Sequence, residues 1–455
     1  MNYAILTFGC RVNQADSLEF EAGLRARGGL ETDVAAADLV IVNTCSVTGA
    51  ADRGARQTIR RISRDNAGAR IVVTGCYATR QPADLASLPN VIRLVPNAAK
   101  DDLVRDVVRE VVRDLAPTTA DRFDDGEGGC GAAMAPGVMG RTAYALRVQT
   151  GCEETCAFCI IPSTRGRSRS RTPADVLADA SRLAESGYNE IWLVGVHMGS
   201  YGRDLQPPST LVELLRALDG LPDDITFRLS SLEPMDCSRA LVDLVARSGR
   251  FAPHFHLPLQ HAGNRMLVAM RRPYTFEFYR TLVDYIHARL RNASIGTDLI
   301  VGFPGEREDE AEHTARAVER LPLSYLHVFP YSDRPGTRAV SMSGKIDGAV
   351  IKSRAERLRG IGRCLVSRFA ESQVGEVRPG LTLDEGTLVL TDNFLKVRIP
   401  PGLTRNVRVQ VRIDAVSPAL TGTIVPPQAH RAAPAASLSP PRKRGSRLDS
   451  RVRGN

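Results

Sequence analysis

Apolar runs alternate with amphipathic stretches over the first 115 residues of the chain. The apolar runs have the length of buried strands and lie at residues 3–8, 39–42, 71–73 and 91–95. The amphipathic stretches have helical periodicity and lie at residues 14–27, 50–66 and 100–115. Strands that alternate with helices in this way are typical of a parallel sheet covered by helices. The pattern therefore predicts a parallel α/β domain over residues 1–115.

A second alternation begins after a change in composition. Residues 116–140 are rich in Gly, Ala, Pro and Asp without an apolar period, which predicts a linker. Strand-like runs follow at residues 143–149, 190–194, 225–230, 254–257, 294–301 and 324–330. Helical stretches separate or follow them at residues 173–186, 209–218, 236–248, 275–291, 307–320 and 346–371. Six β/α units predict a partial (β/α)6 barrel over residues 141–371.

The end of the chain has a third pattern. Short alternating segments lie at residues 387–391, 395–399, 408–413 and 421–425, with turn residues between them. This pattern predicts a small β-barrel over residues 372–427. Residues 428–455 consist largely of Pro, Ala, Ser and Arg, and we expect them to form a disordered basic tail.

The composition agrees with a globular protein of several domains. The 455 residues are 43% hydrophobic and 24% charged, and at about 150 residues per domain they suggest about three domains. No run approaches the roughly 18 apolar residues of a membrane span, and no basic segment introduces a secretory signal. We therefore expect a cytoplasmic protein that does not contact a membrane. The net charge of +9 is weak evidence for nucleic-acid binding, since seven of the Lys and Arg residues lie in the tail.

Three of the nine cysteines form a compact motif. Cys152, Cys156 and Cys159, here called the second triad, have C-x3-C-x2-C spacing directly after the first predicted barrel strand. Loops at the carboxyl ends of barrel strands carry the chemistry of such folds. Three thiolates on a four-iron cluster leave one iron free to bind the amino and carboxylate groups of S-adenosylmethionine. A zinc site completed by a distant histidine, and three cysteines that merely share a helix face, are the alternatives.

Three further cysteines share a structural position. Cys10, Cys45 and Cys76, here called the first triad, each follow a predicted strand of the parallel sheet within three residues. Because the carboxyl ends of parallel strands meet at one edge, we expect the three thiols to converge there. Buried structural cysteines are the alternative. The remaining cysteines lie in the predicted linker or in predicted helices, and we interpret them as nonligands: Cys130, Cys237 and Cys364.

The motifs around both triads resemble one enzyme family. FGCRVNQADS, VNTCSVTGAADR, TGCYA and GCEETCAFCIIPSTRGRSRSR are similar to sequences of the radical S-adenosylmethionine methylthiotransferases, and LVGVHMGSYG, RLSSLEP, HFHLPLQ, GTDLIVGFPGE and HVFPYSDRPGT extend the resemblance over residues 2–427. The resemblance implies one 4Fe-4S cluster on the first triad, which handles the inserted sulfur, and a second on the second triad, which cleaves S-adenosylmethionine. It also implies that the terminal β-barrel is a TRAM-like domain that holds RNA.

Several residues are candidates for contacts to the cofactor or to RNA. Motif location at the cluster loop and the barrel strand ends suggests these S-adenosylmethionine contacts: Phe158, Gly195, Ser231, Glu233, Gln260 and Asp298. Ordinary turn or core positions are the alternative for each of them. Arginines recur at every second position beside the second triad and are candidates for phosphate contacts, or for a solvated basic strand: Arg165, Arg167, Arg169 and Arg171. His261 stands where relatives are expected to carry a serine, so a direct role competes with a structural one.

The resemblance also suggests a substrate. Replacing an unactivated C–H bond of a purine by C–S requires a hydrogen-atom abstractor, which a cofactor must supply. CRVNQADS, VTGAADR and YSDRPGTRA resemble the branch that acts on N6-threonylcarbamoyladenosine rather than on N6-isopentenyladenosine. We therefore expect methylthiolation of C2 of this nucleoside at tRNA position 37, with tRNA, an electron donor of flavodoxin or ferredoxin type and a sulfur source as partners. The alternatives are isopentenyladenosine, an aspartate of a ribosomal protein, or a noncatalytic RNA-binding protein whose triads hold zinc.

Overall fold

The structure is a computed structural model that describes residues 1–115 and 135–426. Most of the predicted linker, Cys130 and the predicted tail over residues 428–455 lie outside the described residues. No helix in the described ranges is both long and apolar enough to cross a membrane.

The first region contains a five-stranded parallel sheet, as predicted. Its strands are β1 (Asn2–Thr7), β2 (Leu30–Glu31), β3 (Leu39–Thr44), β4 (Arg70–Gly75) and β5 (Val91–Val95), in the order β2-β1-β3-β4-β5. The helices are α1 (Arg11–Arg25), α2 (Gly49–Asp65), α3 (Cys76–Arg80), α4 (Ala83–Ala86) and α5 (Leu103–Leu115). Every residue of β3 is buried, because helices cover both faces of the sheet. The two-residue strand β2 was not predicted.

The central region contains the six predicted parallel strands. In chain order the strands of this region are β6 (Tyr144–Arg147), β7 (Gln149–Thr150), β8 (Arg169–Ser170), β9 (Glu190–Val194), β10 (Thr226–Leu229), β11 (His254–His256), β12 (Ser294–Val301) and β13 (Tyr325–Pro330), and the six parallel ones are all of these except β7 and β8. Two parallel sheets, β10-β9-β6 and β11-β12-β13, are joined by a parallel bridge between Phe227 and Phe251. The short strands β7 and β8 form a separate antiparallel pair.

Helices cover the outside of the six strands. They are α6 (Ile161–Arg165), α7 (Pro173–Glu185), α8 (Leu211–Asp219), α9 (Arg239–Arg247), α10 (Asn264–Ala269), α11 (Phe276–Arg289), α12 (Glu308–Arg320) and α13 (Gly348–Ser372). Helix α1 of the first region packs against β6, and its Ala15 and Leu18 join the hydrophobic core of the six strands. The Arg11 guanidinium lies 3.4 Å above the ring of Trp192 in β9. The helix that follows Cys10 is therefore fixed to β6 and β9, the strands before and after the second triad.

The last region is a closed five-stranded barrel. Its strands are β14 (Val377–Leu383), β15 (Leu388–Thr391), β16 (Lys396–Arg398), β17 (Arg408–Ala415) and β18 (Thr421–Val425). Strand β14 was not predicted, because Pro379 and Gly380 interrupt its apolar alternation. The buried Arg228 of β10 donates to the carbonyl oxygens of Thr391 and Asp392. This contact attaches the small barrel to the central strands.

Candidate active site

The first triad lies at the carboxyl ends of three neighbouring strands. β1, β3 and β4 are adjacent and parallel, and Thr44 pairs with Gly75. Cys45 and Cys76 therefore follow paired positions of β3 and β4, while Cys10 lies three residues beyond the end of β1. This edge is the usual ligand site of an open parallel sheet.

The thiols of the first triad interact electrostatically. Burial, reinforced by the nearby thiolates of Cys10 and Cys76, raises the pKa of the Cys45 thiol to about 11. Cys45 and Cys76 are buried, whereas Cys10 is exposed. Metal coordination draws the proton from such a thiol. The triad therefore offers three soft ligands with one side open.

Two glycines make the close approach of these loops possible. Gly9 has φ +90°, and a Cβ added there would lie 2.5 Å from Cys45 Sγ. Gly75 has φ +100°, and its added Cβ would lie 2.1 Å from the carbonyl oxygen of Thr44. Only glycine adopts such conformations readily and also leaves the space free.

A buried charge network borders the first triad. Asp16 of α1 accepts hydrogen bonds from Lys100 at 2.6 Å, from Arg165 at 3.0 Å and from Arg147 at 3.1 Å. Burial raises the pKa of Asp16, but these three cations outweigh it and hold that pKa well below its usual range. Cys76 is an electrostatic neighbour of both Lys100 and Arg165. The positive charges of Lys100 and Arg165 next to Cys76 favour an anionic metal-thiolate centre.

This network corrects one prediction about RNA contacts. The side chain of Arg165 is 2% exposed and its guanidinium already donates to Thr150, Asn13 and Asp16, so it is not available to a phosphate. The predicted RNA contact at Arg165 is therefore wrong. Arg167 and Arg169 are exposed, and Arg171 is half-buried in an ion pair. Their contacts with RNA stay predictions.

The second triad lies in the loop between β7 and α6. Cys152, Cys156 and Cys159 are all half-buried. Burial, reinforced by the neighbouring thiolates, raises the pKa of the Cys159 thiol to about 12. Gly151 has φ +76°, and a Cβ added there would lie 1.8 Å from the carbonyl oxygen of Arg167. The turn that presents the second triad therefore requires glycine.

Two cationic donors reach sulfurs of the second triad. Arg272 Nη1 lies 3.1 Å from Cys156 Sγ, and His197 Nδ1 lies 3.8 Å from Cys152 Sγ. Burial lowers the pKa of His197, but its contacts with Asp236 and Cys152 outweigh burial and raise that pKa to about 10. The imidazolium is thus a donor at neutral pH. Sequence analysis missed both donors, because each lies tens of residues from its cysteine.

Neither cysteine triad of the described residues has the ligand spacing of a single metal ion. A tetrahedral zinc ion with Zn–S distances of about 2.3 Å holds its sulfurs about 3.8 Å apart. Among the described residues, the group of three Cys, His, Asp or Glu side chains with ligand atoms all within 4.8 Å of one another is His256, Asp298 and His327. Cysteine thiolates are also the ligands that hold iron-sulfur clusters.

One cavity is lined by the loops of both triads. It has a volume of about 190 Å³. Val47 and Thr48, which follow Cys45, lie on one side, and Phe158 and Cys159 lie on the other. The remaining lining comes from the ends of the last barrel strands and the loop after them: Gln260, Asp298, Ile300, Phe329, Pro330, Tyr331, Ser332 and Arg334, together with Ile160 and Ile161. Three of the six predicted cofactor contacts thus face this cavity.

The other three predicted cofactor contacts lie outside the lining. Glu233 forms an ion pair with Arg272, one of the two donors to the second triad. Ser231 Oγ lies 2.6 Å from His256 Nδ1. Gly195 directly follows β9. Contacts of these three residues with the cofactor stay predictions.

His261 has a structural position. Its ring is fully buried, with Nε2 3.2 Å from Glu306 Oε1. Its Nδ1 accepts a hydrogen bond of 2.8 Å from the backbone N–H of Gly263. The ring does not line the cavity, so the structural interpretation is the better one.

Family models match two parts of this chain. Residues 2–96 match a model described as an uncharacterized protein family, UPF0004, and residues 146–318 match the radical SAM superfamily. Among solved structures, the radical S-adenosylmethionine methyltransferase TsrM from Kitasatospora setae is similar, with a TM-score of 0.53, 16% identity and coverage of 74% of this chain and 76% of that one. At this identity the similarity concerns the fold alone.

Characterised methylthiotransferases are similar over most of this chain. Threonylcarbamoyladenosine tRNA methylthiotransferase MtaB of Bacillus subtilis is 34% identical, with coverage of 87% of this chain and 89% of that protein. Ribosomal protein uS12 methylthiotransferase RimO of Saccharopolyspora erythraea is 34% identical, with coverage of 84% of both. The tRNA-2-methylthio-N(6)-dimethylallyladenosine synthase of Clavibacter michiganensis is 30% identical, with coverage of 78% of this chain and 68% of that protein.

Proposed function

Because this chain belongs to the radical S-adenosylmethionine methylthiotransferase family, we propose that it methylthiolates C2 of N6-threonylcarbamoyladenosine at position 37 of tRNA. S-adenosylmethionine and 4Fe-4S clusters are the cofactors of the family. The observation that carries the proposal is that loops from both cysteine triads line one cavity. An electron donor, a sulfur source and a cytoplasmic location belong to the same proposal.

Each triad holds one cluster in this proposal. The first triad binds the cluster that handles sulfur, and the second triad binds the cluster that takes S-adenosylmethionine. Bound together, the second cluster and S-adenosylmethionine supply the radical that abstracts hydrogen from an unreactive carbon. The protein's own task is to present both clusters to one substrate carbon and to keep water away from it.

Charged side chains next to the second triad orient the amino-acid end of S-adenosylmethionine. The guanidinium of Arg272 lies between Cys156 and Glu233. This guanidinium is 2% exposed and already donates to Tyr274, Cys156 and Glu233, so it holds Glu233 in place. The Glu233 carboxylate, which is 24% exposed, would pair with the ammonium group of the cofactor.

The far wall of the cavity has the chemistry of a nucleoside site. Burial raises the pKa of Asp298, but hydrogen bonds from His256 and His327 outweigh it and lower that pKa to about 2. The carboxylate is therefore ionised at neutral pH and accepts hydrogen bonds from hydroxyl groups. Gln260 and Phe158 add an amide and an aromatic face, which suit the ribose and adenine of S-adenosylmethionine.

The choice of threonylcarbamoyladenosine rests on the relatives and on three motifs. Several relatives that span most of this chain carry that substrate in their names. CRVNQADS, VTGAADR and YSDRPGTRA resemble the same branch. The residues of VTGAADR and YSDRPGTRA meet at the cavity, where Thr48 and Arg334 both contribute to the lining.

Mass spectrometry of tRNA nucleosides tests this proposal. Cells that lack the gene should lose 2-methylthio-N6-threonylcarbamoyladenosine and keep the isopentenyl adduct. Complementation with the wild-type gene should restore it, and a variant with the second triad replaced by alanine should not. An unchanged threonylcarbamoyl adduct would reject this substrate.

A ribosomal protein aspartate is the second candidate substrate, since RimO of Saccharopolyspora erythraea is as similar in identity as the tRNA enzymes. Mass spectrometry of protein uS12 from the same cells separates the two substrates. A lost methylthio group on uS12 with unchanged tRNA would favour the second candidate.

A further inference from the structure

We propose that the start of α2 carries an oxyanion-binding notch, which holds an oxyanion of the substrate nucleotide at the edge of the cavity. The oxyanion is either the carboxylate of the threonylcarbamoyl group or a phosphate of the RNA backbone. This inference rests on the proposed tRNA substrate and adds a binding site to it.

Three polar groups lie close to the first residue of α2, which is Gly49. A Cβ added to it would lie 3.3 Å from Arg334 Nη2, 3.5 Å from Arg53 Nη1 and 3.8 Å from Ser332 Oγ. The first of these contacts is tight for a Cβ, so glycine lets two guanidinium groups and a hydroxyl, from the first and the central regions of the chain, gather around one small space at the start of the helix.

Arg334 has a nitrogen without a partner. Its side chain is 5% exposed, Nη1 donates to Asp52 at 2.8 Å, and Nε donates to the carbonyl oxygen of Val47 at 3.2 Å. Nη2 is buried and has no hydrogen-bond partner within residues 1–115 and 135–426. Burial lowers the pKa of this guanidinium despite the nearby carboxylate. A buried donor without an acceptor is costly, and an anion would satisfy it.

The charge around the space is positive. Asp52 is shared by Arg80 and Arg334, so one carboxylate faces two guanidinium groups. Arg53 is exposed and has no acidic partner in the described part of the chain. The N-terminus of the 17-residue helix α2 adds the positive end of its dipole. An oxyanion would balance this excess and accept hydrogen bonds from both arginines.

The location connects the notch with the substrate. Ser332 and Arg334 line the cavity, as does Thr48, whose side chain caps α2. Cys159 of the second triad lines the same cavity. A nucleotide whose base reaches the clusters would therefore place its own substituent or phosphate at the start of α2.

Glycine variants test the notch without removing a charge. Gly49→Ala presses a methyl group against the guanidinium groups of Arg334 and Arg53, and the helical position of Gly49 suits alanine. Gly54→Ala is the matched control, because its added Cβ has no neighbour within 4 Å in the same helix. Both variants should keep the iron content and the S-adenosylmethionine cleavage of the wild-type enzyme.

Binding of RNA stem-loops identifies the oxyanion. The probes carry threonylcarbamoyladenosine, isopentenyladenosine or adenosine at position 37. We expect Gly49→Ala to weaken binding about tenfold, the equivalent of one charge-assisted hydrogen bond. A loss confined to the threonylcarbamoyl probe assigns the notch to the carboxylate. An equal loss for all three probes, with a shallower salt dependence, assigns it to a phosphate.

Arg53→Gln provides a second test, with Arg216→Gln in α8 as its control. Both arginines are exposed, so neither variant threatens the fold. Arg53→Gln should reproduce the probe selectivity of Gly49→Ala, and Arg216→Gln should not. Wild-type affinity of both Gly49→Ala and Arg53→Gln for every probe would overturn the proposal. Methylthiolation of the threonylcarbamoyl probe by the wild-type enzyme is measured separately. If binding depends on the notch but this probe is not modified, the proposed substrate is wrong and the notch stands.

Discussion

The two cysteine triads are built by different routes. The first triad takes one cysteine from each of three strand ends, spread over residues 10–76, whereas the second takes all three from one loop at residues 152–159. The first triad therefore exists only when the parallel sheet has formed. The second is held by a short loop whose form depends on local turns and on a few distant donors.

The triads nevertheless share one backbone device. Gly9, Gly75 and Gly151 each precede a cysteine, and each has a positive φ. A chain that leaves a strand must turn sharply to aim the next side chain across the strand end, and glycine permits that turn. The comparison shows that the sheet edge and the cluster loop solve the same geometric problem in the same way.

The surroundings of the triads differ in electrostatics. The first triad is bordered by the network around the buried Asp16, which joins α1 to Arg147 and Arg165 of the central region. The second triad is contacted directly by Arg272 and His197. Charge near the first triad mainly fixes two regions to each other, while charge near the second acts on the sulfurs themselves.

Replacing the cysteines should give the largest difference between the two triads, because each triad supports a different activity. Alanine at any position of the second triad should abolish S-adenosylmethionine cleavage, whereas alanine in the first triad should spare cleavage and stop methylthiolation. Release of 5′-deoxyadenosine and the mass of the RNA product measure the two activities. Each set should also lower the iron content from about eight to about four per chain, since each triad holds four irons. Cys364→Ala is the control, because Cys364 is exposed and lies outside both triads.

Two outcomes would contradict that division. Cleavage that survives in all three variants of the second triad would remove the cluster from that loop. A colourless wild-type protein that contains zinc, even when prepared without oxygen, would support the noncatalytic alternative.

Replacing the glycines that precede the cysteines should remove one cluster at a time. Gly9→Ala would force a methyl group to within 2.5 Å of Cys45 Sγ, and Gly151→Ala would force one to within 1.8 Å of the Arg167 carbonyl oxygen. We expect each variant to lose about four irons, with cleavage lost only in Gly151→Ala. Gly28→Ala is the control, because Gly28 also has a positive φ but its added Cβ meets nothing within 4 Å. Full iron content in Gly9→Ala would show that the first triad tolerates a displaced loop.

The secondary-structure elements and the positions of the cysteines are predicted from the sequence better than the side chains that surround the cysteines. Apolar periodicity is local, so all six parallel strands of the central region and the strands of the first triad were predicted. The interpretation of the first triad succeeded in placing three cysteines at one sheet edge, because strand ends can be aligned from periodicity alone. Strand β14 was missed where Pro379 and Gly380 interrupt the pattern.

Long-range partners could not be predicted from periodicity. Arg165 belongs to an arginine series that resembles a basic strip, yet it is bound to Asp16, 149 residues away. His197 lies 45 residues from Cys152, and Arg272 lies 116 residues from Cys156. Such pairs depend on how finished elements pack, and no local spacing encodes them.

Breaking the charge network should reduce stability without touching either triad. Asp16→Asn leaves Lys100 and Arg165 buried without their counterion, and loss of one partner from a buried charge network costs about 3–5 kcal/mol. Urea denaturation should show this loss in the free energy of unfolding at neutral pH. Asp284→Asn, at an exposed position, should change the stability little. Unchanged stability in Asp16→Asn would mean that the cations find other partners.

The folded-state pKa of Asp16 gives the direction of its pH dependence. Because that pKa lies below the unfolded value, the stability contributed by Asp16 is complete at neutral pH and is lost as the pH falls below about 4. Asp16→Asn should therefore lose part of the acid sensitivity of the wild-type protein. Equal acid sensitivity in the two proteins would assign the effect to other carboxylates.

The smallest expected effect concerns the donors to the second triad. His197→Asn removes an N–H group that lies 3.8 Å from Cys152 Sγ, and hydrogen bonds to ligand sulfurs raise the reduction potential of a cluster. A hydrogen bond of about 1 kcal/mol corresponds to about 40 mV for one electron, so the potential of the second cluster should fall by roughly that amount. A redox titration followed by electron paramagnetic resonance measures the shift. His313→Asn, at an exposed position in α12, should leave the potential unchanged. If His197→Asn also leaves it unchanged, His197 serves only to hold Asp236, and the two triads differ less in their electrostatics than their contacts suggest.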